Sequence, residues 1–156
     1  MLLVIADTTY FFMSVDVDGV WDTYINSHII DSDKNIWAGP NAISLPMMAP
    51  IHIITACNPH ETLLSDLENT RRNLQLENVL CSLNVKFQYV VGTSSDLSWQ
   101  ENSFAVSGLN RSKACELART YHQRAIFELT DNELLAIDSH SMKVRRKRSR
   151  LITLSN

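Results

Sequence analysis

The sequence predicts a single α+β domain in which helices cover one face of a mainly antiparallel β-sheet. Short runs rich in β-branched and aromatic residues recur along the chain and indicate strands. Two longer segments with apolar residues at helical spacing lie between these runs. A chain of 156 residues, 45% hydrophobic and 20% charged, fits one ordinary globular domain.

The segment 51–83 is expected to form a buried strand, a polar turn and one long helix. The run IHIITAC has the composition of a strand, which we expect to extend to Asn58 because Pro59 favours extended backbone in the residue before it. Ser65 and Glu68 have the spacing of a capping box, which predicts that the helix starts at Ser65.

The first third of the chain is expected to contain a β-hairpin followed by a loop. Residues 3–30 read as two strands around Asp18-Gly19, a dipeptide typical of hairpin turns. The start of the chain lacks the basic residues of a signal peptide and carries Asp7, so we expect a first strand there. Three prolines interrupt the segment 31–50, which we expect to be loop with at most one short helical turn.

The second half of the chain alternates strands with one further helix. The expected elements are strands at 85–91 and 101–106 around a loop at 92–100, a helix capped by Asn110, and strands at 125–129 and 134–137. From residue 51 to 129 the order β-α-β-β-α-β is that of a ferredoxin-like split β-α-β unit. We therefore expect a ferredoxin-like core with an N-terminal hairpin, an extra C-terminal strand and both helices on one face. The crossover rule makes the strands at 51–58 and 85–91 parallel, with room for a strand between them.

The net charge of −3 hides a basic segment near the C-terminus. It holds six of the fourteen basic residues and no acidic one: Lys143, Arg145, Arg146, Lys147, Arg148 and Arg150. The expected organisation is one domain over 1–142 and a basic tail over 143–156. The tail could bind nucleic acid or an acidic partner through its charges. The alternatives are a solvated tail or a final strand whose charges protect a sheet edge.

Several function classes are not expected from the composition. No apolar run approaches the ~18 residues that span a bilayer, so we expect no membrane association. The three cysteines are far apart and form no CxxC or Cys/His cluster, which favours reduced thiols in the cytoplasm over a zinc site. No common nucleotide-binding, phosphate-binding or hydrolase motif is present, and no cofactor is expected.

Polar residues interrupt the apolar face of the long helix. Asn69, Arg72 and Asn73 lie on the same face as Leu76 and Leu80, but in the first two turns. These turns are expected near the C-terminal end of the preceding strand, where ligands tend to bind in α/β units. The alternative is that the three side chains face water beyond the sheet edge.

Four groups of residues together resemble a known family. They are Ile54 to Pro59, Glu68-Asn69 with Arg71-Arg72-Asn73, Trp99-Gln100-Glu101 with Ser103-Phe104, and Gln123 with Ala125-Ile126-Phe127. This pattern resembles the bacterial domain-of-unknown-function family 3293 (DUF3293) over roughly residues 8 to 138. The chain departs from it at Cys57, where an aromatic residue is usual, and at His122, where glycine is usual. The resemblance implies one folded unit in a bacterial protein and singles out residues, but it implies no activity.

These residues define a candidate ligand site. The expected ligand-binding residues are Asn58, Asn69, Arg72, Asn73, Trp99, Ser103 and Gln123. Arg72 would clamp an anionic group, and Trp99 would stack on a ring or form a wall. Glu101 is the candidate general base. The alternative is an Arg72–Glu101 ion pair that joins the loop to the helix. We expect recognition of a small polar or anionic ligand, with nucleotides among the candidates and catalysis left open.

Overall fold

The computed structural model describes residues 17–154, which form three α-helices and one sheet of nine strands. The helices are α1 (Val17–Ile25), α2 (Asp66–Ser82) and α3 (Arg111–Thr120). The strands are β1 (His28–Asp31), β2 (Ile36–Pro40), β3 (Ile51–Ile54), β4 (Lys86–Thr93), β5 (Gln100–Ser107), β6 (Ala125–Leu129), β7 (Glu133–Asp138), β8 (Val144–Ser149) and β9 (Leu151–Ile152). A short 3-10 turn, Pro59–Glu61, follows β3. The predicted mixed fold with a mainly antiparallel sheet is confirmed.

The sheet curls into a nearly closed barrel. Its strand order is β8-β7-β6-β3-β5-β4-β1-β2-β9, and every neighbouring pair is antiparallel except β2 with β9. Strands β3 and β4 are parallel with β5 between them, as the crossover rule predicted. Strands β8 and β9 lie at opposite ends of this order, yet only Arg150 separates them in the chain. One continuous segment therefore joins both edges of the sheet.

Arg150 makes the closing contacts. Its backbone N–H donates to the carbonyl of Asn132 at 2.8 Å, and its carbonyl accepts from Gly39 at 2.9 Å. Its guanidinium donates to three further backbone carbonyls, those of Trp37, Ile43 and Asp131, at 2.7 to 3.2 Å. The side chain is 9% exposed. One buried cation thus satisfies carbonyls from two separate loops and a strand.

The two faces of the sheet bury separate cores. Inside the curve, Trp21 and Tyr24 of α1 join strand residues that include Trp37 and Phe127. On the other face, α2 and α3 pack together on the sheet, with Leu76 among their buried residues. Burying one large apolar side chain contributes about 1.5–3 kcal/mol, so both cores stabilise the barrel.

The prediction of an N-terminal hairpin is wrong for the residues that the structure describes. Residues 17–25 form helix α1, and Asp18-Gly19 lies within that helix rather than in a turn. The aromatic residues suggested a strand, but Trp21 and Tyr24 are three positions apart and share the buried face of a helix. The first strand of that hairpin lies outside the described residues.

The expected loop at 31–50 is also wrong in part, because β1 and β2 form a hairpin there. Asp31 builds the turn: its carboxylate accepts the backbone N–H groups of Asp33 and Asn35, each at 2.9 Å. The same carboxylate accepts the indole N–H of buried Trp37 at 3.0 Å. A side chain replaces the glycine that usually marks such a turn.

Other predicted boundaries agree more closely with the structure. The capping box of Ser65 and Glu68 is confirmed, and Asn110 caps α3 by accepting the N–H of Lys113 at 2.8 Å. Strand β3 ends at Ile54, four residues before the expected Asn58. The basic segment contributes β8, which pairs with β7 along its length, and β9.

A buried ionic cluster connects the sheet to α3. The ring Nε2 of His52 lies 3.0 Å from the carboxylate of Glu128, and Arg111 donates two hydrogen bonds to that carboxylate at 2.8 and 2.9 Å. His52 is fully buried and Glu128 is 6% exposed. The hydrogen bonds from Arg111, followed by the contact with His52, lower the pKa of Glu128 from 4.5 to about 2.

We predict that replacing Arg150 with alanine lowers the free energy of unfolding by about 3 kcal/mol, because three carbonyls lose their donor in a buried setting. Chemical denaturation monitored by circular dichroism measures this change. Lys147→Ala is the matched control on the same segment and should change stability by less than about 0.5 kcal/mol, because its ion pair is exposed. Equal effects of the two variants would show that Arg150 does not close the barrel.

We also predict that Glu128 contributes to acid unfolding. Its pKa is lower in the folded than in the unfolded chain, so its stabilising effect is complete above pH 4.5 and is lost as the pH falls towards 2. In urea titrations, the stability advantage of the unmodified protein over Glu128→Gln should therefore shrink over that interval. An advantage that stays constant down to pH 2 would contradict the assignment.

Candidate functional site

The polar residues at the start of α2 bind the backbone that follows β3. The guanidinium of Arg72 donates to the carbonyl of Ala56 at 2.6 Å and to that of Tyr121 at 2.9 Å. The side-chain oxygen of Asn73 accepts the N–H of Ala56 at 2.9 Å, and its amide group donates to the carbonyl of Asn102 at 3.0 Å. These two residues join the end of β3 to β5 and to the end of α3.

Gln123 and Cys57 belong to the same network. The side-chain amide of Gln123, 2% exposed, donates to the carbonyl of Cys57 at 2.6 Å. Burial raises the pKa of the Cys57 thiol, and the charge of Glu101 raises it further. The thiol is therefore neutral near pH 7, which argues against a nucleophilic role.

Asn58 and Asn69 hold each other through two hydrogen bonds. The backbone N–H of Asn58 donates to the side-chain oxygen of Asn69 at 2.8 Å, and the amide group of Asn69 donates back to the side-chain oxygen of Asn58 at 2.9 Å. Asn58 has a left-handed backbone with φ of 46°. These bonds override the extended backbone expected before Pro59, since asparagine tolerates this conformation.

Three of the predicted site residues surround a small cavity of about 120 Å³. They are Asn58, Asn69 and Glu101, and Cys57 also lines the wall. Arg72 does not line it, because its guanidinium is held on backbone carbonyls. The cavity is smaller than the roughly 300–1,000 Å³ of ordinary ligand pockets, although it could hold a few water molecules.

Trp99 and Ser103 lie in other positions. The backbone of Trp99 bonds to Ser94 in both directions and closes the loop between β4 and β5, and its side chain is half-buried. The hydroxyl of Ser103 is buried in the sheet and donates to the carbonyl of Glu101 at 3.3 Å. Neither residue lines the small cavity.

A larger cavity, of about 410 Å³, opens where β3 and β7 end and β6 and β8 begin. We call it the histidine–arginine cavity. Its wall consists of Trp21, His60, Glu61, Arg119, His122, Gln123, Arg124, Asp138, His140 and Arg145. The volume falls within the range of small-molecule sites. Of the predicted ligand-binding residues, only Gln123 lines it.

Two stacked histidines form one side of this cavity. The rings of His60 and His122 lie 4.5 Å apart between centroids, and their planes differ by 27°. The N–H of His60 donates to the carbonyl of His122 at 2.9 Å. Both residues have left-handed backbones, with φ of 53° and 59°, and both rings are accessible to solvent. Such backbones cost about 1–2 kcal/mol per residue and gather at functional sites.

Glu61, next to His60, is held by two donors. Arg124 forms an ion pair with it and donates to its second oxygen at 3.1 Å, while the Tyr24 hydroxyl donates to the first at 3.1 Å. Burial, then the Glu61 carboxylate, raises the pKa of Tyr24, which therefore stays a donor. Glu61 also has a left-handed backbone, with φ of 59°. The turn is thus held rigidly in a strained conformation.

The opposite side of the cavity carries two more arginines. Arg119 donates to the carbonyl of Ser139 at 2.5 Å. The Arg145 guanidinium lies 3.4 Å from the Asp138 carboxylate and 3.6 Å from that of Asp18, and its carbon is 5.1 Å from the centre of the Trp21 ring. The buried indole N–H of Trp21 has no hydrogen-bond partner among the residues that the structure describes. The two arginines on this side are therefore held by protein acceptors, and each guanidinium has further N–H groups.

Most basic side chains of the segment 143–150 are bound within the protein. Arg146 pairs with Asp22 at 2.7 Å, and Arg148 donates to the backbone carbonyls of Ile25, at the end of α1, and of Ser27. Lys147 lies 3.3 Å from the Glu133 carboxylate. Lys143 is exposed. The acidic residues of α1 thus neutralise basic side chains that the sequence suggested as contacts for nucleic acid.

Sequence reasoning missed the larger cavity because its wall comes from five separate segments. Apart from the segment of Trp21, each carries one to three histidines, arginines or acids, and none forms a motif. The clustering of Arg119, His122 and Arg124 around a helix end was the available signal. Within residues 17–154, no three metal-ligating side chains lie close enough together to hold an ion. No helix in that range is long and apolar enough to cross a membrane.

Comparison with known proteins matches part of the chain to a family model. No curated protein and no solved structure matches it. The family model described as "Protein of unknown function (DUF3293)" matches residues 54–126, slightly less than half of the chain. This segment runs from the end of β3 to the start of β6 and includes the network of Asn58, Asn69, Arg72, Asn73 and Gln123. The resemblance to DUF3293 is confirmed over residues 54–126, where the family model matches.

Proposed function

We propose that the protein binds a small anionic ligand in the histidine–arginine cavity. The observation that carries the proposal is the composition of the wall: three arginines and three histidines face one cavity of about 410 Å³ that has only two carboxylates among its described lining residues. Ligand sites combine such a volume with a few convergent polar groups. Guanidinium groups suit carboxylate and phosphate oxygens.

The arginines are positioned but keep donors for a ligand. Arg119 is fixed by one bond to the Ser139 carbonyl, and Arg145 by contacts with the carboxylates of Asp138 and Asp18 at 3.4 and 3.6 Å and by the Trp21 ring. A guanidinium has five N–H donors, so each retains capacity for an incoming anion. Pre-positioned donors lower the entropy lost on binding.

Other sites have less support. Arg72, the expected anion clamp, is held by two backbone carbonyls, and the cavity beside Glu101 measures only about 120 Å³. Arg146 and Arg148 of the basic segment are bound to α1 and to the residues that follow it. These contacts favour the histidine–arginine cavity over nucleic-acid binding through the basic strand.

We also propose that β3 to β6 with α2 and α3 form a ferredoxin-like unit. The spatial order β6-β3-β5-β4, with antiparallel neighbours, supports this interpretation. The bacterial origin and cytoplasmic location that the sequence suggested stay predictions.

We predict that sulfate, phosphate or small phosphorylated compounds stabilise the protein, and that Arg124→Gln weakens their binding at least about tenfold, or 1.4 kcal/mol. Arg111→Gln is the matched control. Both arginines pair with a glutamate and are similarly exposed, at 37% and 38%, but only Arg124 lines the cavity. Thermal shift ranks the ligands, and isothermal titration calorimetry measures affinity.

A second variant, Arg72→Ala, distinguishes anion binding in the histidine–arginine cavity from anion binding at the start of α2. Arg72→Ala should lower stability without changing anion affinity, because the side chain bonds only to backbone carbonyls in the described structure. Loss of binding in Arg72→Ala with normal binding in Arg124→Gln would move the site to the start of α2. Absence of binding by every anion tested would refute the proposal.

A further inference from the structure

We infer that the ligand of the histidine–arginine cavity carries a doubly charged tetrahedral oxyanion of the phosphate class, and that His60 and His122 take up a proton when it binds. This inference rests on the proposed anion site and specifies both its chemistry and its pH response. It follows from the charge of the wall, the ring stack and the directions from which donors converge.

The fixed charges of the wall do not by themselves balance a doubly charged anion. Among the described residues, the charged and titratable groups that line the cavity with the stacked pair are Glu61, Arg119, Arg124, Asp138, His140 and Arg145, and the Asp18 carboxylate lies 3.6 Å from Arg145. With neutral histidines, the three guanidinium groups are offset by the carboxylates of Glu61, Asp138 and Asp18. A doubly charged anion therefore needs added positive charge, and an imidazole is the side chain that gains one near neutral pH.

The stack places His60 and His122 where one bound anion can act on both rings. Their ring centroids lie only 4.5 Å apart. A dianion bound beside them attracts a proton to the pair. Tyr24 is a poor alternative source, because burial raises the pKa of its hydroxyl, which is already bound to Glu61.

The directions of the donors favour a tetrahedral group over a planar carboxylate. Arginines approach from the end of α3, from the start of β6 and from β8, and the stacked histidines approach from the turns. A carboxylate has two oxygens in one plane and would leave some of these donors unused. A phosphate or sulfate group presents three or four oxygens in different directions.

The strained backbone supports a binding role for the histidines. Both positions have φ between 53° and 59°, where glycine or asparagine is favoured over histidine. Their side chains form no ion pair in the described part of the chain, and their ring contact is with each other. The fold thus places two strained and exposed imidazoles at a cationic cavity.

The test measures sulfate binding as a function of pH. Sulfate keeps its double charge throughout the neutral range, so any pH dependence arises from the protein. We expect its affinity to rise up to about tenfold per pH unit as the pH falls from about 8 to 6, with up to one proton taken up per ion. Isothermal titration calorimetry in buffers that differ in ionisation enthalpy measures the number of protons taken up per bound ion. Acetate should bind more weakly, with a smaller pH response.

Variants of the histidines identify which side chains take up the proton. His122→Gly suits the left-handed backbone, and His60→Asn is tolerated there, so both should fold. Each should flatten the pH dependence of sulfate affinity, whereas His140→Asn, in the same cavity but outside the stack, should keep it. Urea denaturation checks the folding of each variant.

The outcomes distinguish this inference from the proposed function. Sulfate binding that is equally tight at pH 6 and 8, or a pH dependence that survives in both stack variants, overturns the proton uptake while the anion site stands. Acetate binding as tightly as sulfate overturns the ligand class. No binding of any anion at any pH refutes the proposed function and this inference together.

Discussion

The closing contact at Arg150 is the constraint on which the rest of the structure depends. The seven antiparallel strands from β7 to β2 form a sheet with two open edges, and one segment pairs with both edges through β8 and β9. The guanidinium between them binds three backbone carbonyls. The resulting curvature creates an inner core that α1 completes with Trp21 and Tyr24. The same curvature brings the strand ends together that form the histidine–arginine cavity.

The segment that matches the family model, residues 54–126, mainly stabilises the fold of the described chain. Asn69, Arg72 and Asn73 looked like ligand-binding residues because they interrupt the apolar face of α2. They bind backbone groups of residues 56–58, where β3 has ended and no sheet partner is available. Buried backbone groups require partners, and a polar helix face supplies them. These polar side chains of α2 therefore orient the turn that carries His60 and Glu61 into the neighbouring cavity.

Local signals predicted much of this fold, and long-range contacts account for what they missed. Ser65 with Glu68 located the start of α2 because a capping box depends on four consecutive residues. Helix α1 was missed because its aromatic residues are equally typical of strands, and only packing inside the barrel decides between them. The role of Arg150 could not be predicted, since its partners lie up to 113 positions away in sequence. The cavity was missed for the same reason: turns distant in sequence supply its wall.

The pairing of β8 and β9 has a consequence for biosynthesis. Until the ribosome has released the residues around position 152, β2 and β7 both present unpaired backbone groups, and the inner core is open on one side. Open strand edges are templates for association with other chains. The nascent polypeptide therefore depends on β8 and β9 for protection, and a chain that stalls before these strands would be a natural client for chaperones and proteases.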